Sequence, residues 1–243
     1  MEEVFDRRAS SYDQSEMHVA LARAVASFVD LAGVNDLLDV ATGTGLVLRA
    51  LSSGRRLVGT DVSQGMLDEA QKRLPNAAFI RADAAALPFD ESSFDLVTCV
   101  AALPYVDVPA SLAEWVRVLR TDGRIVVTAF RPDGLTGLML LRTAAAAHGV
   151  LMDDPNAEFG TVTALGRAGE VIGLEVSRAT DWAFPADRPS AEQLMAKRTP
   201  GRPSELADLG DSTREQIASR LAELIDATPT FEYRAVLVEF ALR

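Results

Sequence analysis

The chain has 243 residues, of which 48% are hydrophobic, and its formal net charge is −11. This length predicts a single domain with a sizeable core, while the acidic balance argues against nucleic-acid substrates and anionic membrane surfaces, which both attract basic proteins. The single cysteine, Cys99, excludes an internal disulfide and is expected to be a buried apolar filler.

The chain also lacks the usual signals of membrane insertion or export. No stretch approaches the about twenty apolar residues that a membrane-spanning helix needs. Residues 1–20 mix acids and arginines and have no apolar signal core. We therefore expect a cytoplasmic protein, and the abundant alanine and arginine indicate a GC-rich bacterial coding sequence.

Short apolar runs alternate with amphipathic segments along the chain. Strands are predicted at 36–41, 56–61, 77–82, 94–100, 123–130, 171–178 and 231–242. Helices are predicted at 16–32, 45–53, 63–74, 108–120, 134–148, 161–169, 190–198 and 211–227. Ser63 is the predicted N-cap of its helix. This alternation is typical of an α/β domain with a parallel sheet and right-handed crossovers, here spanning residues 1–243.

A glycine turn follows the first predicted strand. Residues 38–45 read Leu-Asp-Val-Ala-Thr-Gly-Thr-Gly, and the next strand ends on an acid, Asp61. Glycines such as Gly43 and Gly45 accept positive φ and allow close approach of a ligand. A carboxylate at the end of the second strand can bind both hydroxyls of a ribose. The unit is therefore typical of a site for an adenosine.

The turn departs from the dinucleotide fingerprint G-x-G-x-x-G. Ala41 stands at its first position, and Leu48 or a neighbour occupies the third. Asp39, two residues before Ala41, would repel a pyrophosphate but suits the ammonium group of an amino acid. This favours S-adenosylmethionine over NAD. The alternative is that Asp39 only caps a turn and the glycines only shape a loop.

Further matches follow in order: a third strand ending at Asp83-Ala84, a fourth strand from Ser93, and a helix, turn and fifth strand over 112–130. This series resembles class I S-adenosylmethionine-dependent methyltransferases, in particular the small-molecule branch with the ubiquinone and menaquinone methyltransferases. The resemblance covers residues 1–131 well and the rest in outline. It implies a Rossmann-like, seven-stranded, mostly parallel sheet whose last strand runs antiparallel between the fifth and sixth.

The resemblance also implies the cofactor contacts. The first motif would hold the methionine part, although Ala41 stands where the family usually has glycine. Asp61 would bind the ribose, Asp83 the adenine, and Tyr12 would close over the cofactor. The full set of implied cofactor residues is Tyr12, Asp39, Ala41, Gly43, Gly45, Asp61, Val62, Asp83, Ala84, Val100 and Ala101.

Two insertions, at about 132–158 and 179–230, are predicted to form a cap over a small, largely apolar acceptor, because long insertions in compact domains are usually functional. The alternative is a packing or dimer element, which leaves a homodimer open. The segments expected to cover the acceptor are Phe5–Tyr12, Pro104–Tyr105, Leu135–His148 and 182–210. The expected apolar lining is Leu138, Met139, Leu141, Trp182, Phe184, Leu194 and Met195.

Candidates for acid–base catalysis are few. Tyr105 follows the fourth strand, where the family often lines the acceptor site, and His18 and His148 are the only histidines. A lone histidine is more often structural, and a base helps only when the nucleophile is protonated. No cluster of hard oxygen ligands is evident, so we predict no metal site and no magnesium dependence.

Three functions remain open from the sequence. The first is methyl transfer to a small metabolite, with the O-, N- or C-acceptor unresolved. The second is a nicotinamide oxidoreductase, disfavoured because neither Lys72 nor Lys197 follows a tyrosine by four residues. The third is a methyltransferase fold used as a binding scaffold or as a non-methylating cyclase, since function depends on sites rather than folds.

Overall fold

The computed structural model describes residues 2–52, 54–196, 206 and 209–243. Its strands are β1 Asp36–Val40, β2 Arg56–Asp61, β3 Ala78–Arg81, β4 Phe94–Cys99, β5 Leu119–Leu135, β6 Leu174–Pro185 and β7 Glu232–Leu242. They form one sheet in the order β3-β2-β1-β4-β5-β7-β6. The first five strands pair in parallel, and β7 pairs antiparallel with both β5 and β6. The predicted α/β fold, with its last strand inserted antiparallel, is confirmed.

Helices cover both faces of this sheet. They are α1 Glu2–Arg8, α2 Glu16–Phe28, α3 Leu46–Leu51, α4 Gln64–Arg73, α5 Val108–Val118, α6 Thr136–Ala146, α7 Val162–Glu170, α8 Ala191–Met195 and α9 Asp211–Ala227, with 3-10 turns at Ala9–Gln14 and Leu103–Tyr105. One core lies between the sheet and α5 and α7, around Phe94 and Trp115. A second core lies on the opposite face, where Leu21 of α2 and Leu48 of α3 are buried.

Local chemistry explains where the central elements begin. Ser63 caps α4, and its hydroxyl accepts a hydrogen bond from the amide of Met66 at 3.1 Å, as predicted. Cys99 is fully buried in β4, which confirms the filler role, and burial raises the pKa of its thiol. The turn between β1 and α3 places the carboxyl ends of β1 and β2 side by side, which is where ligands bind in open α/β sheets.

Several predicted bounds were wrong. The helix predicted at 16–32 ends at Phe28, because Val29 is extended. The helix predicted at 108–120 ends at Val118, since Leu119 already pairs with β4. The fifth strand continues past 130 to Leu135, with an irregularity in its pairing with β7. The N-terminal helix α1 was not predicted as a helix.

The sixth strand also differs from its prediction at 171–178. It begins at Leu174, after a turn at Gly173 with φ +82°, and continues to Pro185 because β7 pairs along its whole length. Residues 179–185, placed in the second cap insertion, therefore belong to the sheet. The prediction of that cap also includes 197–205, 207 and 208, which lie outside the described residues.

The described part of the second insertion packs on the first. Helices α8 and α9 bury Leu194, Ile217 and Leu221 against Leu141 and its neighbours on α6, which makes a small third core. Over the described ranges, no helix is both long enough and apolar enough to cross a membrane.

Candidate functional site

A cavity of about 780 Å³ opens at the carboxyl ends of the parallel strands, between the sheet and the N-terminal segment. A second, much smaller cavity of about 40 Å³ adjoins it and shares part of its wall. Nine of the eleven predicted cofactor residues line the larger cavity: Tyr12, Ala41, Gly43, Asp61, Val62, Asp83, Ala84, Val100 and Ala101. The structure thus brings together residues that are far apart in sequence.

Asp39 lines the smaller cavity and is almost completely buried. Its Oδ1 accepts a hydrogen bond of 2.6 Å from Thr98 Oγ1. Its buried Oδ2 forms no hydrogen bond of regular geometry with any described residue, although the side chain of Thr42, like that of Thr98, acts to lower the pKa of this carboxyl. Burial raises the pKa of this carboxyl to about 7. A buried oxygen without a partner is costly, and a ligand ammonium group would satisfy it. Asp39 therefore fits the amino-acid part of S-adenosylmethionine.

Asp61 ends β2 and faces the larger cavity. Its Oδ2 accepts a hydrogen bond from the amide of Gly43, and its Oδ1 accepts one from the amide of Ser63, both at 2.9 Å. Burial nevertheless raises the pKa of the carboxyl. Each carboxylate oxygen can accept more than one hydrogen bond, so these contacts hold the group in place and leave capacity for two ribose hydroxyls.

Asp83 and Ala84 line the cavity beyond β3. Asp83 Oδ1 accepts a hydrogen bond of 2.8 Å from the amide of Ala85, which fixes the turn. The carbonyl of Ala84 accepts one of 3.0 Å from the indole of Trp115, so this backbone is anchored to the core. A rigid turn with an exposed carboxylate is suited to hold an adenine edge.

The turn after β1 depends on positive φ angles. Ala41 has φ +53°, Gly43 +54° and Gly45 +75°. At position 41, where the family usually has glycine, Ala41 adopts a positive φ, which strains the backbone of any residue that has a Cβ. Gly45 lines neither cavity. A Cβ there would lie 3.4 Å from the Cβ of Ala70, so Gly45 permits close packing, and its contact with a cofactor stays a prediction.

Two aspartates fasten the N-terminal segment across the site. Asp6 Oδ1 accepts hydrogen bonds from Ser63 Oγ at 2.6 Å and from the amide of Gly65 at 2.9 Å. Asp13 accepts one from Thr44 and pairs with Arg49 Nη2 at 2.6 Å and with Arg73 Nε at 3.2 Å. These contacts tie α1 and the following 3-10 turn to α3 and α4.

Tyr12 and His18 form one stacked wall of the cavity, with ring centroids 4.4 Å apart and planes 9° apart. Burial raises the pKa of Tyr12 to about 12 and lowers the pKa of His18 to about 4. His18 is therefore neutral at pH 7, and its buried Nδ1 has no hydrogen-bond partner in the described part of the chain. So low a pKa makes His18 a weak general base.

Comparison with known proteins agrees with this geometry. Residues 38–127 match a family described as "Methyltransferase domain". This part of the chain is therefore similar to methyltransferase domains. The chain is 40% identical over 142 residues to a demethylmenaquinone methyltransferase of Clavibacter sepedonicus, an alignment covering 52% of this chain and 56% of that protein.

A second relative is the nocamycin O-methyltransferase of Saccharothrix syringae, 36% identical over 137 residues, which are 51% of this chain and 49% of that protein. The chain therefore spans about half the length of the curated relatives it matches. Among solved structures, the YcgJ protein of Bacillus subtilis has the same fold, with a TM-score of 0.61 and 17% identity over 94% of this chain and 99% of that one. Both of these curated relatives are named as methyltransferases.

Beyond the predicted cofactor residues, the larger cavity has a second end, where the acceptor was expected and whose lining the sequence predicted only in part. Phe5, Pro104, Tyr105, Leu135 and Leu138 line it as expected. The rings of Phe5 and Tyr105 meet edge to face with centroids 5.3 Å apart. This end of the cavity is therefore walled mainly by apolar and aromatic side chains.

Sequence reasoning missed two polar residues there, Asn156 and Tyr233. Asn156 is buried, and its loop is held by Asp154, which accepts a hydrogen bond from the amide of Asn156 at 3.0 Å and pairs with Arg142 at 2.7 Å. Tyr233 lies at the start of β7, opposite Leu135 of β5. The expected antiparallel pairing of the last strand with β5 could have placed Tyr233 near Leu135. No local sequence pattern indicates a role for Asn156.

Other predicted acceptor residues lie away from this cavity. His148 is exposed in the turn after α6 and lines neither cavity, so the structure does not bring it to the acceptor end, and its catalytic role stays a prediction. Five residues expected in the lining are instead packed in other places. Met139, Leu141, Leu194 and Met195 belong to the third core, and Trp182 packs beside the core on the α2 face.

Phe184 stacks on Trp182 with ring centroids 5.9 Å apart, and it too lies outside both cavities. Both side chains lie on the edge strand β6. That strand extends beyond its predicted end and includes residues that were expected in the cap. Within the described ranges of the domain, no three His, Cys, Asp or Glu residues are placed to hold a metal ion. Metal independence stays a prediction.

Proposed function

We propose that the protein transfers the methyl group of S-adenosylmethionine to a small, largely apolar metabolite. The observation that carries this proposal is the buried Oδ2 of Asp39, which lacks a hydrogen-bond partner among the described residues beside the cavity that Asp61 and Asp83 also face. Three carboxylates at the ends of successive strands suit one ligand that carries an ammonium group, two vicinal hydroxyls and an adenine.

Each part of the chain has a role in this proposal. Asp39 binds the ammonium group, Asp61 the ribose hydroxyls, and Asp83 with the backbone at Ala84 the adenine. Tyr12 encloses the cofactor from the N-terminal side. The bound cofactor supplies an electrophilic methyl group on a sulfonium.

The protein's main task at the acceptor end is to align a nucleophile and exclude water. The N-terminal segment, fastened through Asp6 and Asp13, covers the cavity, and apolar side chains wall it. A cavity of this size and character suits a metabolite of a few rings or a chain, not a folded macromolecule. The O-, N- or C-acceptor and a cytoplasmic location remain parts of the proposal to be tested.

Binding of the demethylated cofactor tests the first half of the proposal. Calorimetry of the full chain should show binding of S-adenosylhomocysteine and no binding of NAD at the same concentrations. The opposite preference would refute the cofactor assignment. Incubation with methyl-labelled cofactor and a panel of small apolar acceptors then tests transfer, and turnover should survive excess chelator. Activity that is lost on chelation and restored by magnesium would contradict metal independence.

A matched pair of variants tests the acceptor end. Tyr105→Phe removes a hydroxyl from the cavity wall and should lower turnover while leaving cofactor affinity nearly unchanged. His148→Ala changes an exposed residue outside the cavity and should leave both unchanged. A loss of turnover in His148→Ala that equals the loss in Tyr105→Phe would refute this location of the acceptor.

A further inference from the structure

The acceptor end of the cavity contains a cation that the proposed function does not explain. Arg8, the last residue of α1, lines the larger cavity and is its only lysine or arginine among the described residues. The same wall carries three carboxylates, those of Asp61, Asp83 and Asp107. The net charge of the chain is −11, and the charged side chains of this cavity wall are likewise mainly acidic, so the position of Arg8 among the three carboxylates is the feature to explain.

Arg8 is exposed and forms no ion pair with any of the described residues. No carboxylate of the described residues lies within 4.0 Å of its guanidinium, and no described group accepts a hydrogen bond from it, whereas most described arginines form ion pairs. The preceding residue shows the contrast, because Arg7 pairs with Glu3 at 3.9 Å. An arginine has five N–H donors in a planar fork, and those of Arg8 remain available to a ligand.

Two aromatic rings hold the guanidinium at the wall. Its carbon lies 5.9 Å from the ring centroid of Phe5 and 5.8 Å from that of Tyr12. Contacts of this kind attract the cation without using its hydrogen-bond donors. Phe5 in turn packs on Tyr105, so Arg8 sits within a continuous aromatic wall. Its positive charge also contributes, after burial, to the lowered pKa of His18.

The carboxylates of the cavity are engaged elsewhere. Asp107 caps α5, where it accepts a hydrogen bond of 3.1 Å from the amide of Ala110. Asp61 and Asp83 each accept hydrogen bonds from backbone amides and face the proposed cofactor. These three carboxylates therefore leave Arg8 available to an anionic group of a bound ligand.

We propose that Arg8 forms an anion-binding subsite and that the acceptor carries an oxyanion, such as a carboxylate or an ionised phenol or enol, on an apolar scaffold. The inference rests on the proposed function for the identity of the ligand as the acceptor. A planar oxyanion matches the fork of the guanidinium, and the surrounding rings match an apolar scaffold. The negative net charge of the protein keeps polyanions away, so the subsite selects small ligands with one charge.

Two probes that differ in charge but hardly in shape test the subsite: 2-naphthoate and 2-naphthamide. Calorimetry of the full chain, saturated with S-adenosylhomocysteine, should show that naphthoate binds roughly tenfold more tightly or better, as expected for a charge-assisted hydrogen bond. Arg8→Gln should remove this preference and change naphthamide affinity by less than about threefold, since apolar contacts remain. Arg8→Lys should keep part of the preference, because it keeps the charge but loses the fork.

Arg7→Gln is the matched control, since it removes the neighbouring positive charge outside the cavity, and it should keep the full preference. The proposal is overturned if the parent protein binds both probes equally or neither at millimolar concentration, or if Arg8→Gln retains the preference. Failure of the cofactor site is seen separately, as absent S-adenosylhomocysteine binding in the first titration. The probe preference can then still be measured on the protein without it.

Discussion

Asp36 and Asp39 lie three residues apart in the same strand and show how differently the two ends of the sheet use charge. At the amino end, hydrogen bonds from Arg56 and then Arg120 hold the pKa of Asp36 below its usual value. At the carboxyl end, burial raises the pKa of Asp39 to about 7, and no described cation is within ion-pair distance of it. Paired charges stabilise a fold, whereas an unpaired buried carboxylate costs stability that a cationic ligand restores.

The same contrast holds on the neighbouring strands. At the amino end, Asp95 pairs with Arg120 at 2.7 Å and accepts hydrogen bonds from the amides of Asn35 and Asp36 at 2.8 and 2.9 Å. Burial would raise the pKa of Asp95, but these partners outweigh it and lower the pKa. Among the described residues, Asp61 at the carboxyl end accepts hydrogen bonds only from backbone amides, and burial raises its pKa. Substitutions at the two ends should therefore affect different properties.

The largest expected effect is on cofactor affinity. Asp61→Ala should weaken S-adenosylhomocysteine binding by about 2–4 kcal/mol, because two charge-assisted hydrogen bonds to the ribose are lost. Calorimetry measures this directly. Asp95→Ala, a change of the same type at the paired end, should leave the affinity unchanged. An affinity of Asp61→Ala within twofold of the parent would refute the ribose assignment.

The converse prediction concerns stability. Asp95→Ala should lower the free energy of unfolding by about 2 kcal/mol, because Arg120 and two backbone amides lose an acceptor. Urea denaturation followed by circular dichroism measures the change. Asp181→Ala is the control, since its ion pair with Arg131 at 3.0 Å is largely exposed and should contribute little. Equal losses in the two variants would show that the network at the amino end is no more important than a surface pair.

Binding should also depend on pH through Asp39. A carboxyl with a pKa of about 7 is ionised in only about a tenth of the molecules at pH 6. An ammonium group needs the ionised form, so S-adenosylhomocysteine affinity should be about tenfold lower at pH 6 than at pH 8. The negative charge of nearby Asp61 adds to the rise in the pKa of Asp39. Asp39→Asn should bind more weakly and lose the pH dependence.

The stability of the cofactor-free protein should change with pH in the opposite direction to its cofactor affinity. Because the pKa of Asp39 is raised from 3.8 to about 7 on folding, the folded state binds the proton more tightly than the unfolded chain. Its contribution to stability is therefore present below about pH 4 and is lost as the pH rises towards 7. Asp39→Asn should have a higher melting temperature than the parent at pH 8, with a smaller difference at pH 5. An unchanged difference between these pH values would contradict the burial of an ionisable Asp39.

The two ends of the cavity were not equally predictable. The cofactor end follows from local patterns, because a glycine turn and an acid at the end of a strand specify where Asp39 and Asp61 lie once the strands are parallel. The acceptor end is assembled from segments distant in sequence. Asn156 reaches it from an irregular loop, and Tyr233 from the last strand, whose place beside β5 was expected but whose register, with Tyr233 opposite Leu135, is seen only in the structure.

The cap shows the limit of hydrophobic periodicity. Leu138 and Leu141 lie on the same helix, α6, but Leu138 faces the cavity while Leu141 is buried against α8 and α9. Both sides of this helix are covered, one by the cavity wall and one by the third core. Apolar spacing identifies a helix with two apolar sides, but only the packing shows which side meets the ligand.

The smallest expected effect concerns the backbone of the glycine turn, where the sequence departs from its family. Ala41 and Gly43 have nearly equal φ angles, +53° and +54°, and no atom outside the chain neighbours lies closer than 4.0 Å to a Cβ built on Gly43. Ala41→Gly should therefore raise the free energy of unfolding by about 1 kcal/mol, and Gly43→Ala should lower it by a similar amount, since an alanine is strained at this angle. Denaturation of the cofactor-free protein measures both. Changes of the same sign would show that side-chain contacts, not the backbone angle, decide which residue the turn accepts.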